Sequence, residues 1–395
     1  MSELNNVVIV AAARTPVGSM LGKLSTVKAT ELGSVAIRKV IEKSGIKTDI
    51  VDEVIMGCVL PAGLGQAPAR QAALGAGLPN DVCCMTINKV CGSGLKSVML
   101  GAQAIMIGDA DVVIAGGMES MSMAPHLLPS GRTGIKYGNG TLIDHMAYDG
   151  LTDAYENGPM GCFADDCATS YKFSREEQDA YAIRSYKLAQ ESIEHGRFKE
   201  EIAPVSIPQR KGEPVVIEQD EEPARVTFDK IPQLRGAFSK DGTVTAANAS
   251  TINDGAAAIL LMSENKAKEL GLKPMVRIVA QASAARKPSE FTIAPVDAIK
   301  KVLEKAKLKI DDIDLYEINE AFAVVTLAAM KDLNIPQDKV NINGGSVAIG
   351  HPIGASGARI LTTLLYAMKQ KGVKRGLATL CIGGGEASAL IVETI

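Results

Sequence analysis

An internal repeat restricts this chain more than any other feature. Ala36–Val54 (AIRKVIEKSGIKTDIVDEV) aligns without gaps onto Ala298–Tyr316 (AIKKVLEKAKLKIDDIDLY), with 9 identities in 19 positions. In both copies apolar residues step by three and four, pass a turn opened by Asp49 or Asp311, and then alternate or run together. That pattern predicts an amphipathic helix, a turn and a strand. The likeness extends outward. VVIVAAAR (Val7–Arg14) resembles VRIVAQAS (Val276–Ser283), and DVVIAGGMES (Asp111–Ser120) resembles GLATLCIGGGEA (Gly376–Ala387). CGSGLKSVMLGAQAIMIG (Cys91–Gly108) parallels GASGARILTTLLYAMKQKG (Gly354–Gly372), each a small-residue turn followed by an amphipathic helix.

Strands separated by helices in both halves predict a duplicated α/β protein with a mainly parallel sheet covered on both faces. Residues 120–270 lack a counterpart in the second half. They include a Gly-rich loop at Pro129–Gly140, a helix over Arg175–Gly196 and a polar, proline-dotted run at Pro204–Pro223. The predicted division is residues 1–119 as the first part of the N-terminal half, 120–248 as an inserted loop domain, 249–271 completing that half, and 272–395 as the C-terminal half. Loops added to a rigid scaffold usually carry binding functions, so the insertion is expected to cover a ligand.

Composition narrows the class of that ligand. The 42 Lys and Arg against 45 Asp and Glu leave a net charge of −3, and the basic residues are dispersed among acidic ones. This excludes the cationic footprint of a general nucleic-acid or membrane-surface binder and favours a small molecule. The apolar run Val7–Ala13 is too short to cross a bilayer and has no basic leader, and Glu393-Thr394-Ile395 is no peroxisomal address. A cytoplasmic location is expected. In a reducing compartment the seven cysteines are free thiols, and none has zinc spacing, so no metal site is expected. Gly18–Leu24 falls one residue short of the phosphate-cradling loop, and Gly75-Ala76-Gly77 lacks the third glycine of a dinucleotide motif.

A few residues carry candidate chemistry. Cys91, in NKVCGSG, opens a helix expected over Leu95–Ile107, where backbone N–H groups and the positive end of the helix dipole favour thiolate. It is either a nucleophile or a small cysteine buried in a tight turn. His351, in GGSVAIGHPIGASG, opens the helix expected over Ala358–Gly372 and serves either as a general base or as a backbone hydrogen-bonding group. Cys381 ends an apolar strand before three glycines, whose N–H groups stand beside the thiol. Asn319, in EINEAF, orients water or an oxyanion, or else caps a turn. His195 closes a charged helix as an ordinary cap. The repeat places the Cys91 and His351 turns at corresponding edges of the two halves, and Asn319 and Cys381 also follow strands, which directs all four to one crevice.

NKVCGSG, GGMESMS, GTVTAANASTINDGAA, NEAF, GHPIGASGAR and CIGGG, in this order over nearly the whole chain, resemble the thiolase family. The resemblance implies two βαβαβαββ halves in a layered αβαβα arrangement with a loop domain, and acyl transfer at a 3-ketoacyl-CoA thioester, with a place in fatty-acid metabolism. It implies reversible Claisen condensation of two acetyl-CoA to acetoacetyl-CoA and CoA. By motif match Cys91 is the acyl-accepting thiolate, His351 its base, Cys381 the acid/base at the substrate α-carbon and Asn319 the support of an oxyanion-hole water. The N–H groups of Cys91 and Gly383 form a second oxyanion hole. Similarity further places Leu151, Met160, Phe238, Ala246, Ser250 and Phe322 around the pantetheine of CoA, and Arg210 and Lys211 near its phosphates, with CoA as substrate and no tightly bound cofactor. GRTGIKYG (Gly131–Gly138) resembles a tetramerisation loop, implying a homo-oligomer, tetramer or dimer. The chain departs from the family pattern at Pro159, at Glu386-Ala387 and at Ser283–Arg286. A broad-range 3-ketoacyl-CoA thiolase, a β-ketoacyl synthase-like condensing enzyme and a non-catalytic acyl-CoA binder are the competing readings; Cys381 in CIGGG argues against the synthase.

Overall fold

The computed structural model describes residues 4–395. Among these, nine strands follow one another across one sheet. In chain order they are β1 (Val7–Arg14), β2 (Glu53–Gly57), β3 (Cys83–Ile87), β4 (Val112–Ser120), β5 (Asn253–Ser263), β6 (Val276–Ala285), β7 (Leu315–Ile318), β8 (Arg375–Ile382) and β9 (Glu386–Glu393). Their spatial order is β7-β8-β9-β6-β1-β5-β4-β2-β3, and the two-residue strand Gly18–Ser19 pairs with β5. The halves join where β1 and β6 run antiparallel, Val8 opposite Arg277 and Ile9 opposite Val276. Moving outward from that seam, β1-β5-β4-β2 on one side corresponds to β6-β9-β8-β7 on the other, which is the sequence repeat in three dimensions.

The sheet is mixed rather than mainly parallel. Only β2–β3, β2–β4 and β7–β8 run parallel. The expectation of a parallel sheet overlooked how each half closes. β9 follows β8 after only Gly383–Gly385, and so short a connection must reverse the chain. β5 returns after the insertion and runs antiparallel to both β1 and β4.

The helices give the layers. In chain order the main ones are α1 (Ala29–Ser44), α2 (Pro68–Gly75), α3 (Ser93–Ile107), α4 (Met160–Tyr171), α5 (Arg175–Glu194), α6 (Ala294–Ala306), α7 (Ala323–Leu333) and α8 (Ser356–Lys371). α1 buries Leu32, Ala36, Ile37 and Val40, the stripe repeated by Ala294, Ala298, Ile299 and Val302 in α6. Each large aliphatic side chain so buried contributes about 1.5–3 kcal/mol. α1 and α2 pack on the outer face of the first half, α6 and α7 on that of the second. α3 and α8 share one core with strands of both halves, so the order of layers is αβαβα. α5 ends at Glu194, and His195 caps it with Nδ1 on the Glu191 carbonyl at 2.8 Å.

The N-termini of α3 and α8 meet through glycine. A Cβ on Gly94 would stand 2.8 Å from the Ala358 nitrogen, and one on Gly357 would stand 2.3 Å from the Leu95 nitrogen. Nearby, a Cβ on Gly117 of β4 would lie 2.0 Å from the Gly354 carbonyl oxygen. Backbone meets backbone here, with no flexible side chain to yield. Gly117→Ala is therefore expected to lose about 3 kcal/mol or more through overpacking, whereas Gly158→Ala, with nothing within 4 Å of its Cβ position, should change stability by less than about 0.5 kcal/mol. The shift in urea midpoint measures both.

Candidate active site

Cys91 sits between β3 and α3 on a turn that the local sequence forces into an uncommon shape. Val90 has φ +45, a conformation costly for a β-branched residue. The surrounding bonds sustain it. The Val90 amide donates to Asn88 Oδ1 at 2.9 Å, the Lys89 amide donates to Ser93 Oγ at 2.8 Å, and that hydroxyl donates to the Val90 carbonyl at 2.7 Å. Cys91 is thereby presented to a cleft of about 520 Å³. The backbone N–H groups of Gly383 and Cys91 pull the thiol down in the direction expected at a helix terminus, but loss of solvent outweighs them and pushes the Cys91 thiol up to about 11.

His351 enters the same cleft from the second half. Its amide donates to Asn253 Oδ1 at 2.8 Å, and its Nδ1 lies 2.6 Å from Ser356 Oγ. The Ser356 hydroxyl donates its one hydrogen to the Pro352 carbonyl at 2.9 Å, so Nδ1 is assigned the imidazole proton and Nε2 the lone pair. That Nε2 is buried without a protein partner. Burial, and next the charge of Arg359, push His351 down to about 3. The ring is neutral at pH 7 and has a free acceptor.

Cys381, at the end of β8, is fully buried; desolvation and then the neighbouring Cys91 hold its thiol well above the ordinary range. Asn319 directly follows β7. Arg359 Nη2 donates to Ser346 Oγ at 2.6 Å, and Ser346 donates in turn to Asn319 Oδ1 at 2.6 Å. This fixes the amide so that Nδ2, buried and without a protein partner, is the free donor. Cys91, His351 and Gly383 line the cleft, while Cys381 and Asn319 are buried and do not line it; Cys381 shares an apolar cluster with the lining residues Met160, Phe238 and Phe322.

Leu151, Met160, Phe238, Ala246, Ser250 and Phe322 all line the same cleft, with Phe291 added. Phe322 packs edge-to-face on Phe238 and Phe291, with centroids 5.9 and 6.3 Å apart, an arrangement that makes a firm apolar wall. Arg210 and Lys211 do not reach it. They are exposed on the turn between the short strands Val205–Ile207 and Val215–Ile217, and the cation that lines the cleft is Arg225, beside Glu222 at 3.7 Å.

Sequence reasoning missed the groups that hold these residues. Ser356 and Asn253 aim His351, and Ser346 aims Asn319. Glu119, at the end of β4, accepts N–H bonds from Val59, Leu60 and Gly354 at 3.0, 3.1 and 2.8 Å, tying the His351 loop to the first half; burial pushes its carboxyl up to about 7. The one signal available was a carboxylate in the otherwise apolar run GGMES.

Two outcomes follow. An acid raised to about 11 stays protonated, and a base lowered to about 3 stays neutral, so neither titrates by itself near neutrality. The pH profile of kcat/KM for the reaction at Cys91 should be flat with respect to these groups between about pH 6 and 9; limbs near the ordinary His and Cys values would contradict it. Ser356→Ala should lower kcat by roughly 10- to 100-fold while the melting temperature shifts by only a few degrees, since the ring loses its orientation and the fold loses one hydrogen bond.

Comparisons with known proteins identify the family of the chain as a whole. The family model described as "Thiolase, N-terminal domain" matches residues 7–265, and "Thiolase, C-terminal domain" matches residues 272–394. A Gibberella zeae protein named a cytosolic acetyl-CoA acetyltransferase is 53% identical over 396 residues, covering 100% of both chains. The acetyl-CoA acetyltransferase of Cupriavidus necator is 54% identical over 391 residues, covering 99% of this chain and 100% of that one. The crystal structure of the Bacillus anthracis acetyl-CoA acetyltransferase superposes with a TM-score of 0.97 at 42% identity, covering 100% of each chain. On family models that together span almost its whole length, this chain belongs to the thiolase family.

Proposed function

We propose that the chain is an acetyl-CoA C-acetyltransferase, an acyltransferase that condenses two acetyl-CoA to acetoacetyl-CoA and CoA and runs the reverse thiolysis with the same groups. The observation that carries this reading is the meeting of Cys91 with the free Nε2 of His351 and the Gly383 N–H in one apolar cleft. The names of the full-length relatives support it; a broad-range thiolase and a non-catalytic acyl-CoA binder fit them less well.

In this scheme Cys91 attacks the thioester carbonyl of acetyl-CoA and its proton passes to His351 Nε2. The C–S bond to CoA breaks, and the departing CoA thiolate takes the proton of Cys381. The Cys381 thiolate then accepts the α-proton of a second acetyl-CoA, and the carbanion attacks the acetyl carbonyl on Cys91. The Cys91 thiolate leaves and recovers its proton from His351, so every group ends as it began. The raised Cys381 thiol suits the second of these steps, because its thiolate, once formed, is a strong base for the weakly acidic α-proton. Donors for the developing oxyanions are the N–H groups of Cys91 and Gly383 on one side and Asn319 Nδ2, through a water, on the other. Arg225 on the rim takes the anionic end of CoA, with Arg210 and Lys211 outside the cleft.

Short acyl chains are favoured. Met160 Cε lies 3.7 Å from where a Cβ on Gly383 would stand, so its side chain closes the space beside the reacting groups. Overpacking costs about 1–3 kcal/mol, more than the ~0.8 kcal/mol that a buried methylene returns. A homotetramer is supported by the exposed apolar residues Ile135, Tyr137 and Leu142 on and beside the Gly-rich loop, and a cytosolic location by the name of the Gibberella zeae relative.

On adding CoA, the absorbance of the Mg²⁺–acetoacetyl-CoA enolate should decay; persistence would identify a binder. Values of kcat/KM should fall from C4 to C6 to C8 3-ketoacyl-CoAs, and a flat or rising series would identify an open-pocket thiolase. Cys91→Ala should abolish acetyl-enzyme formation, whereas Cys381→Ala should still become acetylated on Cys91 yet lose condensation. Light scattering should give the mass of four chains; a dimer would remove only the tetramer.

A further inference from the structure

Two turns build the reacting corner, one from each half: Lys89–Gly92 ahead of α3, and Gly383–Gly385 between β8 and β9. They are in close contact. A Cβ on Gly92 would stand 2.3 Å from Ile382 Cδ1, and one on Gly383 would stand 3.3 Å from Val90 Cγ1. Gly383 and Cys91 line the same cleft, and the Gly383 N–H acts on the Cys91 sulfur by lowering its thiol against the effect of burial. The glycine turn is fastened on its far side, where Gly385 lies against the Arg286 and Lys287 carbonyls and its own carbonyl accepts from the Arg286 amide at 2.8 Å. Among the described residues one side-chain hydrogen bond links the Lys89–Gly92 turn to the end of the glycine turn: Lys89 Nζ donates to Oε2 of Glu386, the residue that follows Gly385, at 2.5 Å.

Both side chains are partly covered, 23% exposed for Lys89 and 38% for Glu386. A pair of this exposure adds little to global stability, so its effect is to be sought in geometry. Gly384 and Gly385 both have φ +88, and a turn with so much glycine has little stiffness of its own. The Gly383 N–H therefore depends on its anchors for its place over Cys91.

We propose that Glu386 is a positioning residue for acetyl transfer: its ion pair with Lys89 straps the glycine turn to the Cys91 turn and fixes the Gly383 N–H against the reacting sulfur. This rests on the reading of Cys91 as the acetyl acceptor and Gly383 as an oxyanion donor. Since donors are effective only within a few tenths of an ångström of their best position, loosening the strap falls on the transition state more than on substrate binding.

The test uses Glu386→Gln and Lys89→Gln, the double variant, and the exchanged pair Lys89→Glu with Glu386→Lys. Burst amplitude and rate of acetyl-Cys91 formation are measured, together with steady-state kcat, KM and melting temperature. Each single variant should lower the acetylation rate and kcat by roughly 5- to 30-fold, less than the ~10²-fold cost of deleting an oxyanion donor. KM for acetyl-CoA should stay within about twofold and the melting temperature within a few degrees. The double variant should be no slower than the slower single, because the two residues act as one unit, and the exchanged pair should recover most of the rate. Single variants within twofold of the parent, or losses that multiply in the double variant, would overturn the strap. Acetylation persisting in Cys91→Ala would instead overturn the reading beneath it, so the two failures are distinguishable.

Discussion

The site depends on how closely the two halves approach. α3 and α8 meet at their N-termini with Gly94 against Ala358 and Gly357 against Leu95, and β4 passes the His351 loop at Gly117 and Gly354. These contacts are backbone on backbone, which only glycine permits. Because they bring the starts of two helices together, they also bring together the turns that precede those helices. One turn carries Cys91 and the other follows His351. A duplicated fold thus places two residues 260 positions apart in the chain around one cleft.

That closeness has an electrostatic consequence. Partial withdrawal from solvent between the halves favours the neutral form of each titratable group: the Cys91 thiol is raised, the His351 imidazole lowered and the Cys381 thiol raised. A preformed thiolate–imidazolium pair would be costly there. In the proposed reaction the arrangement instead keeps protons poised for transfer, and fixed dipoles meet charge as it forms: the Gly383 N–H and the oriented Asn319 amide. His351 and Asn319 are each aimed by a buried hydroxyl, that of Ser356 and that of Ser346. A hydroxyl both donates and accepts, so it fixes a tautomer or an amide orientation without adding charge.

The duplication is broken where chemistry requires it. Corresponding turns carry a thiol in one half and an imidazole in the other. β8 and β9 join through three glycines, whereas β4 and β5 are separated by the long insertion that supplies Leu151, Met160 and Phe238 to the cleft wall. One half thus gives a turn of N–H donors and the other gives a cover.

Much of this was legible in the linear sequence because it depends on short-range pattern. The period of three and four in Ala36–Val54 and Ala298–Tyr316 marks helices whichever way they pack. The glycines around Cys91, His351 and Cys381 mark tight turns at strand and helix ends, and the repeat register places those turns at matching edges. Other features depend on partners distant in the chain. Strand direction at the seam follows from β5 and β9 turning back, which local periodicity does not encode. The protonation of Cys91 is decided by desolvation from both halves, which overrides the helix terminus beside it. Arg210-Lys211 and Arg225 are equally basic in sequence, but only Arg225 is carried to the cleft. Ser356, Ser346 and Glu119 look like any small polar or acidic residues until the fold buries them against His351, Asn319 and the Gly354 amide. The sequence determined which groups exist and what local shape carries them; the tertiary structure decided which are dry, which are aimed and which meet, because burial and hydrogen-bond geometry arise only once the two halves close.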